Sequence, residues 1–217
     1  MAYVLREGIS FCVAGERHFF LDLIADRYFA LGAGDERLFS RLTAMDPQAR
    51  TALPLSPALA RLLYERQDGN LAPFMCDAAP MAGMEDHEHA RPASILVLRA
   101  ALSFTVIKLM LRQRTPGQIL KQLGRTKPPL EIKHADGEAL VHLAAAFERV
   151  RAWAREDQCL PLSLAYARLA YAMGYRVDIV LGIAPRPFGA HCWVQSGGRV
   201  LNDRLARVLN FTPIYAQ

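Results

Sequence analysis

Residues 157–174 read DQCLPLSLAYARLAYAMG, and this stretch decides the fold of the C-terminal part of the chain. It predicts a helix that begins near Cys159, because Pro161 is tolerated only in a first helical turn and Gly174 is a natural C-terminal stop. At a helix N-terminus, unpaired backbone amides and the positive end of the dipole favour a thiolate over a thiol. The same amides can stabilise an oxyanion. The stretch therefore indicates Cys159 as a candidate nucleophile.

A second segment, residues 190–203, reads AHCWVQSGGRVLND and predicts a β-hairpin around a glycine-rich turn. If the loop has three residues, Gln195 pairs with Arg199, and His191 lies directly opposite Asp203. Directly opposed residues have Cβ atoms about 4.5–5.5 Å apart, which is close enough for a carboxylate to orient an imidazole. A bulge would shift this register, so the predicted contact depends on the length of the loop.

The predicted hairpin also distinguishes two thiols. Cys192 follows His191 in sequence, but neighbouring side chains on a strand point to opposite faces of the sheet. Cys159, His191 and Asp203 then form a papain-like set, in which His takes the thiol proton and later protonates the leaving group, while Asp orients His. Taken singly, a buried cysteine or a cross-strand His–Asp pair is more often structural. The combination favours a catalytic site.

The composition is typical of a soluble globular protein. Of the 217 residues, 52% are hydrophobic and 22% are charged, which is enough apolar material for a core. The four cysteines show no CxxC or CxxH spacing, so we expect neither a disulfide framework nor a structural zinc site. The N-terminus carries no visible export signal, and we expect a cytoplasmic protein with reduced thiols.

The N-terminal part predicts a small mixed unit. Residues 9–31 contain three short runs of aromatic and branched residues separated by turns, which is typical of a three-stranded meander. Helical spacing predicts a helix over residues 35–45 and another over residues 56–66, the latter with Ser56 as N-cap and Pro57 at the first position. Three strands followed by two helices indicate a winged-helix-like domain over residues 1–72.

The rest of the chain divides into a linker and a helical segment. Residues 73–92 are rich in proline and polar side chains and predict a linker, in which His87 and His89 are expected to be solvated rather than metal ligands. Helices are expected at about residues 94–114 and 137–153, joined by a connection marked by proline and glycine. Arg99 and Lys108 interrupt the first of these, so we predict a core helix rather than a membrane span.

Formal charge is unevenly distributed along the chain. The net charge is −1 over residues 1–72, −3 over residues 73–92 and +9 over residues 93–217. The basic residues are spaced along predicted helices, which favours solvated faces over a nucleic-acid surface.

Four short motifs together resemble one protein family. Residues 159–165, 187–194, 200–203 and 211–214 read CLPLSLA, PFGAHCWV, VLND and FTPI. They resemble the C-terminal domain of the lasso-peptide biosynthesis B proteins, which are transglutaminase-like cysteine peptidases that remove the leader from a lasso precursor. Members commonly carry alanine where this chain has Cys192. The resemblance implies an α+β fold, with a papain/transglutaminase-like domain over residues 93–217 and catalytic residues Cys159, His191 and Asp203.

The N-terminal segment resembles the leader-recognition module of the same family. Residues 19–23 and 26–31 read FFLDL and DRYFAL and match the strand motif of its PqqD-like winged-helix domain. The resemblance implies that the leader adds a strand to an unpaired sheet edge, and that apolar pockets provide specificity. A purely structural role in the core stays open for the candidate contacts, which are Arg27, Tyr28, Phe29, Ala30, Leu31, Leu59, Leu62 and Leu63.

Three functions are weighed on these observations. The leading one is cleavage of the precursor at the leader-core junction, which frees the core amine for an asparagine-synthetase-like lasso cyclase. A transglutaminase-like acyltransferase would keep the same three residues but let an amine intercept the thioester. A non-catalytic winged-helix protein that binds a leader or DNA is the third, although the second predicted helix offers DNA phosphates only Arg61 and Arg66.

The expected cofactors follow from the same resemblance. Family members have been described as ATP-dependent, but this chain has no GxxxxGK[ST] loop, so we predict no nucleotide site of its own. ATP is expected in the reaction with the cyclase partner, where it would activate a core carboxylate. No metal and no bound cofactor is predicted.

Overall fold

A computed structural model describes residues 2–45, 53–66, 69–83, 90–129, 137–154 and 158–217. The chain divides into two compact units, Met1–Met75 and Cys76–Gln217. Both units combine helices and sheets, so the α+β fold class is confirmed. The division of function between the predicted domains stays a prediction.

The predicted three-stranded meander is present in the first unit. The meander consists of the second, third and fourth strands of the chain. The second strand pairs with the third from Ile9↔Asp22 to Ala14↔Arg17, and the third pairs with the fourth. Gly15 and Glu16 both have positive φ, at 55° and 64°, which is the type I′ geometry that suits a two-residue hairpin. The elements of this unit are β1 (Ala2–Leu5), β2 (Ile9–Ala14), β3 (Arg17–Asp22), β4 (Arg27–Ala30), α1 (Ala33–Ala44), α2 (Pro57–Leu62) and β5 (Leu63–Arg66).

The second predicted helix of this unit is only half right. Ser56 caps α2 as expected, since its side chain accepts a hydrogen bond from the Leu59 amide at 3.2 Å. However, the helix ends at Leu62, and the remaining predicted residues form β5, which pairs antiparallel with β1. These residues are extended because a partner strand far away in sequence forms hydrogen bonds with their backbone. The local spacing of apolar residues does not reveal that partner. The winged-helix relationship of the unit stays a prediction.

The second unit places helices against a four-stranded antiparallel sheet of order β8-β7-β6-β9. Residues 115–124, where the sequence predicts a connection, contain a helix with a complete capping box at Thr115 and proline at its first position. The elements of this unit are α3 (Ser94–Leu111), α4 (Pro116–Gly124), α5 (Gly137–Arg151), α6 (Cys159–Ala172), β6 (Asp178–Pro185), β7 (Phe188–Ser196), β8 (Arg199–Val200), α7 (Leu205–Val208) and β9 (Thr212–Ala216).

Helix α3 is not the core helix that we predicted. It packs on α5 and α6 through the narrow face of Ala100, Ser103 and Ile107. Its opposite side is exposed and largely apolar, and only 17% of its residues are buried. By length and composition alone it is the one helix in the described residues that could cross a membrane. The exposed leucines and isoleucine are Ile95, Leu98, Leu102 and Leu109.

The first part of the predicted linker is attached to the sheet of the second unit. The Ala78 carbonyl accepts a hydrogen bond from Gln195 Nε2 at 2.8 Å, and Ala82 forms a parallel bridge with Arg199. These contacts cover the outer edge of β8, so this stretch is ordered by the sheet that it borders. The histidines considered for metal binding, His87 and His89, lie outside the described residues.

Candidate active site

Cys159 is the first residue of α6, as the sequence predicted. Most of its residues are apolar and buried between α3, α5 and the sheet, while Arg168 is exposed. Burial of most of its surface holds the helix in the core. The nucleophile candidate therefore lies at the start of a fixed helix, where the first amides have no intrahelical acceptor.

The predicted register of the β7–β8 hairpin is wrong by one residue. Gln195 pairs with Val200 rather than with Arg199, and the loop has two residues instead of three. Gly197 and Gly198 both have positive φ, at 56° and 81°, which gives a two-residue turn of type I′. Strand β8 is then only two residues long, so His191 and Asp203 are not cross-strand partners.

The two side chains meet nevertheless. His191 Nε2 lies 2.7 Å from Asp203 Oδ2, and both side chains are almost fully buried. The chain leaves the sheet after Val200 and turns back toward β7, which brings the carboxylate to the ring by another route. The Arg204 amide donates to Asp203 Oδ1 at 2.7 Å, and Arg151 Nη1 lies 3.9 Å from the same carboxylate. The predicted contact is thus present, although the predicted reason for it is not.

The imidazole of His191 is also held by aromatic rings. Its ring stacks on Phe211 at 4.8 Å between centroids and on Trp193 at 6.2 Å. His191 and Trp193 lie on the same face of β7, as the alternation of a strand requires. A ring fixed on its faces and bonded to a carboxylate at Nε2 has little rotational freedom.

Cys159 and His191 lie close enough to interact, and each changes the pKa of the other. Burial raises the pKa of the Cys159 thiol, but the His191 hydrogen bond and charge, with the Cys192 and Leu160 amides, outweigh burial, and the pKa lies below its ordinary value. Burial lowers the pKa of His191, yet its bonds to Asp203 and Cys159 hold it above the ordinary value. Opposite shifts of this kind favour a thiolate facing an imidazolium.

The pKa values of Asp203 and Cys192 are shifted in opposite directions. Burial raises the pKa of the Asp203 carboxyl, but His191, the Arg204 amide and Arg151 together hold it below its usual range. Complete burial keeps the pKa of the Cys192 thiol far above its ordinary value, so that thiol stays protonated. Between the two cysteines, only Cys159 has the surroundings of a nucleophile.

Sequence reasoning missed several residues that surround these three. Ser163 and Asn202 are buried polar residues that hydrogen-bond to each other at 2.8 Å. Their signal was a serine within an apolar helix and an asparagine after an apolar strand, both of which require a buried partner. Arg151 and Phe211 carried no such signal, because their contacts depend on how distant elements pack.

The predicted leader-binding residues fall into two groups. Arg27, Tyr28, Phe29 and Ala30 form β4, an edge strand that pairs only with β3 in the described sheet. In contrast, the four leucines are buried in the core of the first unit, where they pack with its aromatic rings. Their assignment to leader binding stays a prediction, although these side chains present no surface to a peptide. They are Leu31, Leu59, Leu62 and Leu63.

The described residues hold no group of three or more His, Cys, Asp or Glu side chains arranged to bind a metal ion. The structure instead brings a cysteine, a histidine and a carboxylate together at the junction of α6, β7 and the segment after β8.

The sequence of the second unit matches a known class of protein. The sequence profile of the transglutaminase-like superfamily matches residues 102–216, which is more than half of the chain and includes Cys159, His191 and Asp203. The chain therefore belongs to the transglutaminase-like superfamily.

A more particular similarity concerns a shorter segment. The chain is 35% identical over 48 residues to the microcin J25-processing protein McjB of Escherichia coli. That segment covers 22% of this chain and 23% of the relative. Since McjB is a lasso-peptide biosynthesis B protein, the two matches together confirm the resemblance seen in the sequence. No solved structure matches the chain.

Proposed function

We propose that this protein is a cysteine peptidase that binds the leader of a lasso-peptide precursor and cleaves it at the leader-core junction. One arrangement carries the proposal: Cys159 begins α6, His191 lowers the pKa of its thiol, and His191 Nε2 lies 2.7 Å from Asp203 Oδ2. The partial similarity to McjB supports the choice of substrate, because that relative is named for processing microcin J25.

The chemistry of cleavage assigns one role to each residue. The Cys159 thiolate attacks the scissile carbonyl carbon, and amides at the start of α6 stabilise the oxyanion that forms. His191 then gives its proton to the core nitrogen as the C–N bond breaks, which leaves the leader on sulfur as a thioester and frees the core amine. Water, deprotonated by His191, hydrolyses the thioester and releases the leader carboxylate. Asp203 keeps the imidazole oriented and stabilises its charged form.

Leader recognition is proposed for the outer edge of β4. A peptide strand added there would use backbone hydrogen bonds for affinity, while Tyr28 and Phe29, which are both half-buried, would contact its side chains. Arg27 is exposed and lies over the Phe29 ring at 5.3 Å, so an acidic residue in the leader would find a cation beside an apolar contact. The buried leucines are proposed to support this strand from below.

The proposed place of action is the cytoplasm, together with a cyclase. The product of cleavage is a free core amine, which a lasso cyclase would join to a core carboxylate that it activates with ATP. This protein is proposed to act without a metal or cofactor of its own.

The test uses the purified full chain and a synthetic precursor peptide, followed by mass spectrometry with the cyclase absent and present. We expect wild type and Cys76→Ala to release the leader, and Cys159→Ala to bind the precursor without cleaving it. Cys76 is a matched control because it is a half-buried thiol of the same unit that bonds Gln195 and none of the three proposed catalytic residues. Equal cleavage by Cys159→Ala would refute the proposal, and a product mass that includes an added amine would indicate acyl transfer instead.

A further inference from the structure

The edge of β7 beside the proposed catalytic residues lacks a full partner strand. Strand β8 pairs with β7 only at Gln195 and Ser196, and the Leu201 amide then donates to the Val194 carbonyl at 2.8 Å. From Val194 toward His191 the backbone groups on this edge are buried, and buried backbone groups need partners. Something other than a strand has to satisfy them.

Two buried side chains take the place of the missing strand. Asn202 Oδ1 accepts a hydrogen bond from the Val194 amide at 2.7 Å, and Ser163 Oγ donates to the Cys192 carbonyl at 2.9 Å. The two side chains also bond each other, since Asn202 Nδ2 donates to Ser163 Oγ at 2.8 Å. Ser163 is 0% exposed and Asn202 is 5% exposed, so water does not compete for these bonds.

Each member of this network is close in sequence to a residue that would react. Ser163 lies one helical turn after Cys159 on α6, and Asn202 directly precedes Asp203. Cys192, whose carbonyl Ser163 holds, directly follows His191, and its backbone amide helps to lower the pKa of Cys159. The Asn202 carbonyl also accepts a hydrogen bond from Arg151 at the end of α5. A shift of Ser163 and Asn202 would therefore move all three proposed catalytic groups relative to one another.

We infer that Ser163 and Asn202 are positioning residues, which replace a strand at the edge of β7 and thereby set the distance between the Cys159 sulfur and the His191 imidazole. The inference rests on the proposed function, because it names the residues that align its nucleophile with its base. Neither side chain touches the substrate. Both act through the backbone that carries the reacting groups.

A residue that only stabilises the fold would give a different result from a positioning residue. Ser103 provides the comparison, because its hydroxyl is also buried, donates to the Ala165 carbonyl of α6 at 3.0 Å and accepts from Arg168. Ser103→Ala and Ser163→Ala each remove one buried hydroxyl from the packing of the same helix. Only Ser163 bonds to the strand that carries His191.

The experiment measures the alkylation of Cys159 by iodoacetamide as a function of pH, read on its tryptic peptide by mass spectrometry so that the other three cysteines do not contribute. In Ser163→Ala we expect the midpoint of the profile to move up by about one pH unit, which makes alkylation about tenfold slower at pH values below both midpoints. At pH values where the thiol is fully ionised, the rate should match that of wild type. Ser103→Ala should keep the wild-type midpoint.

Asn202→Ala is the second variant and should shift the midpoint in the same direction. With the precursor as substrate, we expect both variants to lower kcat by about 10- to 100-fold at nearly constant KM. A wild-type midpoint in both variants, an equal shift in Ser103→Ala, or a failure of both variants to melt cooperatively would overturn the inference. Alkylation does not require peptide cleavage, so it reports on positioning even if Cys159→Ala shows that the proposed function is wrong.

Discussion

The two units each contain a buried histidine bonded to a carboxylate, and the two pairs have the same length. In the first unit His18 Nδ1 lies 2.7 Å from Glu36 Oε1, and in the second His191 Nε2 lies 2.7 Å from Asp203 Oδ2. Both imidazoles also contact aromatic rings, which for His18 are those of Phe11 and Phe39. Distance and burial alone do not distinguish the two pairs.

The difference lies in the third group that each histidine meets. His191 interacts with Cys159 at the start of a helix, and the pKa values of that imidazole and thiol move in opposite directions. Besides Glu36, the contacts described for the His18 ring are with aromatic rings, and the same carboxylate oxygen also accepts the His18 backbone amide at 2.9 Å. The first pair joins β3 to α1, whereas the second lies beside a thiol whose pKa is lowered. A histidine–carboxylate pair thus indicates catalysis only where a reactive group completes it.

The largest expected effect comes from removing each carboxylate in turn. Asp203→Ala should lower kcat for leader cleavage by about a thousandfold or more, because His191 loses its orientation and the stabilisation of its charge. Glu36→Ala should leave kcat within about twofold of wild type and should destabilise the first unit by about 1–3 kcal/mol, since buried donors of His18 lose their acceptor. Cleavage kinetics of both variants measure the effect on kcat, and thermal unfolding of both measures the effect on stability.

The opposite result for either variant would break the comparison. A catalytic loss in Glu36→Ala at temperatures where the variant is folded would mean that the first pair takes part in the reaction. Full activity of Asp203→Ala would reduce the second pair to a structural contact of the same kind as the first.

The pH dependence of alkylation gives the next largest effect. Because the pKa of Cys159 is lowered and that of His191 is raised, the thiolate–imidazolium pair exists above the first pKa and below the second. The charged groups around it are Asp203 behind the ring and Arg151 from α5. Alkylation of Cys159 should therefore begin at lower pH than alkylation of free cysteine. In His191→Ala the onset should move up by more than one pH unit, while His18→Ala should leave it in place.

The sequence predicted the three proposed catalytic residues but not the geometry that joins them. Cys159 was predictable because Pro161 and Gly174 mark both ends of its helix locally. The hairpin register was wrong because two glycines allow either loop length, and only the structure shows that both adopt positive φ. The contact between His191 and Asp203 is present although the predicted register is wrong, because the chain bends after Val200. The alternation of side chains along a strand does not predict such a bend.

The elements that sequence missed share one physical cause. Strands β1 and β5 form because each satisfies the backbone hydrogen-bonding groups of the other across about sixty residues. Neither segment has a hydrophobic pattern that by itself favours a strand. The apolar sequence of α3 predicts a core helix, yet the helix contacts the fold only through a narrow face. Composition reports how apolar an element is, and tertiary packing decides how much of it is covered.

Arg151 should have an intermediate effect on the second pair. Its guanidinium lies 3.9 Å from Asp203 and also donates to the Asn202 carbonyl, so Arg151→Ala removes both a charge and a tether. We expect kcat to fall by about tenfold, which is less than for Asp203→Ala because the direct bond to His191 remains. Arg149→Ala, an exposed arginine on the same helix, is the control. Equal losses in the two variants would point to the general charge of α5 rather than to the contact.

The smallest effect is expected in the first unit, at the proposed leader edge. Arg27 is exposed and its ion pair with Asp22 is long, at 3.7 Å, and exposed pairs contribute about 0–1 kcal/mol. Arg27→Ala should therefore weaken leader binding by no more than about fivefold, should do so less at high salt, and should leave kcat unchanged. Arg66→Ala removes the same charge from β5, which belongs to the other sheet, and should not alter affinity. Calorimetric titration of both variants with the leader peptide measures the difference. If Arg66→Ala weakens binding and Arg27→Ala does not, the leader binds at the two-stranded sheet, and the first unit presents a different edge from the one proposed.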